Sequence, residues 1–150
     1  MKSILKKTLV VLALSPFLFS FSAKPGGEGF EIFLNDKIFT QQFGNDVNTV
    51  KSLQLAPGSA ADKLTIKYYH CGRAGKNRVV TIKDEKNKVL KEFRYADASV
   101  PVNAISVPLK DILPLRSSAQ NMKMYYSSTE LPNGRVLLYI KFDTHSVVKL

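Results

Sequence analysis

Between residues 30 and 142 the chain falls into short segments rich in β-branched and aromatic side chains, each closed by Gly, Pro, Asn or Asp, and no long helical period runs through it. Residues 30–34 and 37–42 flank Asn35-Asp36, two residues that tolerate left-handed backbone angles, and so predict a hairpin. In 50–55 the apolar Leu53 and Leu55 alternate with Ser52 and Gln54, the two-residue period of a half-buried strand, which Ala56-Pro57-Gly58-Ser59 closes. Residues 63–71, 78–84 and 89–95 add three strands, the last two linked by Asp84-Glu85-Lys86-Asn87-Lys88, and links this short predict antiparallel neighbours. Residues 103–107 read as a further extended segment, and 109–113 as one helical turn before Pro114. Segments 121–127 and 135–142 enclose Leu131-Pro132-Asn133-Gly134, where Asn-Gly predicts the hairpin turn. About eight short strands with almost no helix predict an all-β fold, an antiparallel β-sandwich, with a small β-barrel as the alternative closure.

Ahead of these segments the pattern changes. Residues 1–7 hold Lys2, Lys6 and Lys7 and no acid, and 9–21 are apolar apart from Ser15, Pro16 and Ser20. A basic stretch followed by an apolar one is the order of a secretory leader. The apolar run is shorter than the roughly 18 to 20 residues that a helix needs to cross a hydrocarbon core, and Pro16 would break such a helix, so no membrane span is expected in the mature chain. Ser20 and Ser22 place small side chains where signal peptidase requires them, which predicts a signal peptide over 1–22, a flexible lead-in over 23–29 and a single domain over 30–150. The expected location is periplasmic or extracellular. No cysteine stands near the cut to accept a lipid.

Removing 22 residues from 150 leaves 128, a common size for one domain. The leader takes three lysines with it, so 19 basic residues face 12 acidic ones. That excess attracts anions whatever their identity, and for an exported protein the expected partners are an anionic glycan, a lipid head group or an envelope protein. Composition does not fix the oligomeric state.

Few residues are equipped for catalysis. The mature chain holds two histidines, one cysteine and no tryptophan, and His70 and Cys71 are adjacent. Neighbouring side chains on an extended strand point to opposite faces, which disfavours a cysteine–histidine nucleophile at these positions. A lone cysteine is either inert core filler or a free thiol able to pair with another chain; Cys71, following Tyr68-Tyr69 at a strand end, reads as buried, with a thiol function as the alternative. Asp143 and His145 share a strand face at two-residue spacing and could recruit His70, but so sparse a set predicts no metal site, and no cofactor is expected. Gly58-Ser59-Ala60 does not match the hydrolase elbow, and no carboxylate stands in an apolar setting suited to glycoside hydrolysis. The expectation is a non-catalytic protein with a binding or structural role at the cell envelope, with an exported enzyme or thiol protein acting through Cys71 as the alternative.

The segment 71–78, Cys-Gly-Arg-Ala-Gly-Lys-Asn-Arg, is more informative. Its two glycines free backbone N–H groups to face a ligand while Arg73, Lys76 and Arg78 supply charge, so these three are the predicted anion-binding residues, with Lys83, Lys86, Lys88 and Lys91 extending the patch. It is not a P-loop, because His70 stands where the first glycine belongs and no Ser or Thr follows Lys76. Tyr68-Tyr69 and Tyr125-Tyr126 each place one ring inward and one outward, and outward rings can stack on sugar. From Tyr68 through Arg78, and again at Thr81-Ile82-Lys83-Asp84 and Tyr125-Tyr126-Ser127-Ser128, the chain resembles small exported proteins of Bacteroidota with no established activity. That resemblance implies a β-sandwich and an exported location, and carries no functional residues.

Overall fold

The computed structural model describes residues 27–44 and 49–143. The expected signal peptide over 1–22, the start of the lead-in at 23–26 and His145 lie outside the described residues. Among those described, nine strands form two sheets: β1 (Gly29–Leu34), β2 (Lys37–Phe43), β3 (Ser52–Leu55), β4 (Lys63–Tyr69), β5 (Arg78–Asp84), β6 (Val89–Tyr95), β7 (Ile105–Pro108), β8 (Asn121–Ser128) and β9 (Leu131–Phe142). One sheet has the order β2-β1-β4-β7 and the other β3-β9-β8-β5-β6. The fold is an all-β sandwich and not the alternative barrel.

Alternation along the strands builds the core. Phe30 and Ile32 of β1 and Leu64, Ile66 and Tyr68 of β4 face Val80 and Ile82 of β5, Met122, Met124 and Tyr126 of β8, and Leu138 and Ile140 of β9, all of them buried. Each fully buried aliphatic side chain of this kind contributes on the order of 1.5–3 kcal/mol of transfer free energy. The first hairpin is as expected, with Asn35 and Asp36 at φ 49° and 67° between β1 and β2. The link between β5 and β6 also turns where expected, and Asp84 fixes it by accepting the Lys88 N–H at 2.8 Å. The helical turn expected at 109–113 forms as two 3₁₀ turns, Leu109–Asp111 and Leu113–Ser117, and a third lies over Pro57–Ala61.

Four expectations are corrected. β4 and β5 are not neighbours: β4 pairs with β1 and β7, while β5 pairs with β6 and β8, so segment 70–77 crosses from one sheet to the other. Left-handed angles at Cys71, Gly72 and Asn77 let the chain make that crossing in so few residues. The pairing of β3 with β9 is parallel and sets Leu53 and Leu55 in the core beside Ile140 and Phe142; no direct link joins the two strands to impose the antiparallel direction. The lead-in ends earlier than read, because β1 begins at Gly29 and Glu28 is held by Tyr68 and Arg135.

The fourth correction concerns Asn133-Gly134, which is not the β8–β9 turn. Ser128 pairs with Leu131, so Thr129 and Glu130 make the turn, and Asn133-Gly134 sit inside β9 where the register slips against β8. Pro132 cannot donate to the ladder, and Gly134 absorbs the extra residues at φ 65° as a bulge. A Cβ on Gly134 would lie 3.2 Å from the Tyr126 carbonyl oxygen. Only one residue of the pair needs a left-handed angle, whereas a two-residue hairpin turn of the Asn-Gly type needs both. In chemical denaturation, therefore, Gly134→Ala is expected to lose about 1–2 kcal/mol and Asn133→Ala to stay near the wild type. Equal losses from the two would restore the hairpin turn.

Candidate functional site

The loop predicted to bind anions does accept them, but from its own chain. The Lys76 N–H donates to the Glu130 carboxylate at 2.9 Å and the Asn77 N–H to the Asp97 carboxylate at 2.8 Å. The Arg73 N–H is taken by the His70 carbonyl at 3.1 Å, and the carbonyls of Gly75 and Lys76 accept from Ala98 and Thr129. Arg78 is buried: its guanidinium donates to the Ala96 carbonyl through Nε at 3.0 Å and NH2 at 2.7 Å, and to the Asn103 carbonyl through NH1 at 2.8 Å. Arg73 and Lys76 are exposed. The three predicted residues therefore do not converge on one open site, and Arg78 serves the fold. Lys86 and Lys88 do not extend the loop either, because they lie beyond the far end of the seven-residue β5, roughly 20 Å away at ~3.3 Å per residue.

Behind the loop a buried cluster closes that end of the sandwich. Tyr68 of β4 stacks on Tyr126 of β8 with ring centroids 4.5 Å apart, and His70 packs against both rings. His70 Nε2 shares hydrogen bonds with the Tyr126 hydroxyl at 3.0 Å and Ser128 Oγ at 3.4 Å. The Tyr68 hydroxyl donates to Glu28 at 2.6 Å, and Glu28 pairs with Arg135 at 3.1 Å. Gly75 is required here for close approach, since a Cβ would stand 3.0 Å from His70 Nε2 and 3.1 Å from Arg78 Cδ. Burial pushes the Tyr126 phenol up to about 12 and raises that of Tyr68 further, so both remain neutral hydrogen-bonding groups. The neighbouring residues separate just beyond the end of β4: His70 is buried, while Cys71 is exposed and free, which corrects the reading of Cys71 as core filler. Its placement follows from the left-handed turn that begins at Cys71 itself.

The outer face of the five-stranded sheet carries a different arrangement. Cross-strand register sets Ser52, Tyr139 and Lys123 side by side, and Gln54, Lys141 and Asn121 in the next row. An open groove of about 480 Å³ lies here, lined by Ser52, Glu85, Asn121, Lys123, Tyr139 and Lys141. Tyr139 is 38 % exposed, a large ring turned to solvent. The Lys123 ammonium is held by Asn87 Oδ1 at 3.1 Å and the Glu85 carbonyl at 3.5 Å, while Asn121 Nδ2 donates to Glu85 Oε1 at 2.9 Å. Alongside, the Lys83 ammonium sits 4.3 Å from the centre of the Tyr125 ring. The groove is at the end of the sandwich remote from the 71–78 loop, because Asn121 and Glu85 adjoin the end of β5 opposite Arg78.

Sequence reasoning named Lys83 and Tyr125 of this face and missed Lys123, Tyr139 and Lys141. The signal was present as Lys123-Met124-Tyr125 and Tyr139-Ile140-Lys141, two alternating triplets on segments already read as neighbouring strands. Among the described residues no group of three or more His, Cys, Asp or Glu side chains comes together to hold a metal ion. His70 is in the aromatic cluster, Asp143 follows β9, and no helix among the described residues is long and apolar enough to cross a membrane. No protein-family model matches the chain, and no curated protein matches it.

Two measurements check this placement. Burial lowers the pKa of His70, with Arg73 and Arg78 acting in the same direction and Glu130 and Glu28 opposing. The folded chain thus binds the His70 proton less readily than the unfolded chain. This contribution to stability is complete above about pH 6.5 and is lost as pH falls from there through the folded value. Thermal melts from pH 8 to 5 are expected to show that decline, and His70→Gln to flatten it; parallel profiles would contradict the burial. Glu130 adds a separate loss at lower pH. Desolvation pushes its carboxyl up, but hydrogen bonds from the N–H groups of Lys76 and of Glu130 itself, and from Ser128, outweigh that and hold it below its ordinary value. A soluble alkylating reagent should label Cys71 in the folded protein about as fast as in the denatured chain, and strong protection would contradict its exposure.

Proposed function

We propose that the protein is an exported, non-catalytic β-sandwich that binds an anionic partner at the cell envelope, in the periplasm or outside, through the outer face of its five-stranded sheet. The observation that carries this reading is the groove in which Lys123 and Lys141 flank the exposed ring of Tyr139. Two ammonium groups on one sheet face attract an anion, and an exposed aromatic ring beside them offers apolar surface for whatever bears the charge. The basic excess of the chain adds long-range attraction, and the basic-then-apolar N-terminal pattern supports export.

The loop residues Arg73 and Lys76 stand at the other end, and the N–H groups of Arg73, Lys76 and Asn77 are already taken up within the chain. A second reading rests on the exposure of Cys71, which leaves a thiol able to form a disulfide with another chain.

Retention on an immobilised sulfated or carboxylated polysaccharide separates the two surfaces. Replacing Lys123 and Lys141 together by Ala is expected to abolish retention at moderate salt, while replacing Arg73 and Lys76 together leaves most of it. The opposite ranking would return binding to the loop.

A further inference from the structure

Resting on the reading just given, we infer that the groove is built for a hexuronate-type acidic sugar within a glycan, and not for a densely charged polyanion or a phospholipid surface. Its chemistry is mixed in a specific way. Lys123 and Lys141 supply positive charge on two adjacent strands, one in each of two neighbouring rows of the sheet. Tyr139, across from Lys123 and two residues before Lys141 on the same face, is 38 % exposed, and an exposed ring can take the C–H face of a pyranose.

Beside Lys123 stands a carboxylate, which a site for a dense polyanion would not contain. Glu85 lines the groove, and its Oε1 accepts from Asn121 Nδ2. That bond fixes the amide and leaves Glu85 Oε2 and Asn121 Oδ1 as acceptors, with the Ser52 hydroxyl on the other side. Acceptors grouped in this way recognise hydroxyl donors. A ligand that satisfies all three features has one anionic group, an apolar ring face and free hydroxyls, which describes a hexuronate. Polyphosphate lacks both ring and hydroxyls and would meet the Glu85 charge directly. A phospholipid bilayer presents a broad anionic plane, which a concave groove with its own carboxylate fits poorly.

Lys123 is held in place before any ligand arrives, through Asn87 Oδ1 and the Glu85 carbonyl, so the turn between β5 and β6 positions one of the two cations and supplies the discriminating carboxylate. The same sheet carries Lys83 against Tyr125, a second cation-and-ring pair two residues along β8 from Lys123, in line with a glycan of more than one sugar unit.

The test is calorimetric titration of the protein, as isolated from its own cells, with four probes: a hexamer of galacturonate, neutral maltohexaose, hexametaphosphate, and vesicles of phosphatidylglycerol. The galacturonate hexamer is expected to bind best, and Tyr139→Ala or Lys141→Ala to weaken it roughly tenfold or more, while Lys141→Arg retains most of the affinity. Glu85→Gln is expected to weaken the uronate and to strengthen hexametaphosphate, a reversal that simple charge attraction does not produce. Hexametaphosphate or vesicles binding more tightly than the uronate, with loss on Lys123→Ala, would overturn the sugar assignment and leave the anion-binding face standing. Maltohexaose binding as tightly as the uronate would overturn it too. Binding of none of the four would remove both.

Discussion

The contact between Tyr68 and Tyr126 is the constraint on which the rest of the sandwich depends. These rings come from different sheets, stack at 4.5 Å, and bring His70 and Ser128 into the same buried space. A stacked pair contributes about 0.5–1.5 kcal/mol beyond its buried area, but its larger consequence is positional. Once Tyr126 is in place, the chain leaving β4 must pass over it to reach β5. Gly75 can lie against His70 only because it has no side chain, and Arg78 turns inward to satisfy carbonyls left unpaired where β6 ends and β7 has not begun. The charge of Arg78 is thereby taken into the fold. Two of the loop's backbone donors take Glu130 and Asp97, and its buried arginine takes two carbonyls, so this end of the molecule works as a clasp between sheets.

Much of the fold was legible in the sequence. Alternation in segments such as 50–55 gave the strands, and Asn35-Asp36 gave a hairpin whose two left-handed angles the structure contains. Sheet membership was not legible, because a short link can join neighbours in one sheet or cross between sheets, and the choice at 70–77 depends on the distant residues Tyr126 and Glu130. Asn133-Gly134 carried a strong turn signal and became a bulge, since Pro132 and the pairing of Ser128 with Leu131 decide the register two residues earlier. The composition of 71–78 pointed to anions, and two of its backbone N–H groups hold carboxylates. It could not say that the anions are side chains of the same protein.

What the clasp leaves free is the opposite end of the five-stranded sheet, where the outward residues of β8 and β9 meet no second layer among the described residues. Lys123, Tyr139 and Lys141 alternate with the buried Met122, Met124, Leu138 and Ile140, so their backbone positions are fixed by the core while their side chains face outward. Binding residues supported in this way lose little freedom when a ligand arrives. The proposed division of labour follows: one end holds the sheets together, and the other presents charge and an aromatic ring to the surroundings.

The most direct check of that division is a residue-by-residue map of backbone amide shifts by nuclear magnetic resonance during titration with an acidic oligosaccharide. The account predicts changes concentrated at Ser52, Asn121, Lys123, Tyr139 and Lys141, with Arg73, Lys76 and their neighbours unmoved. Changes centred on residues 71–78 would contradict it.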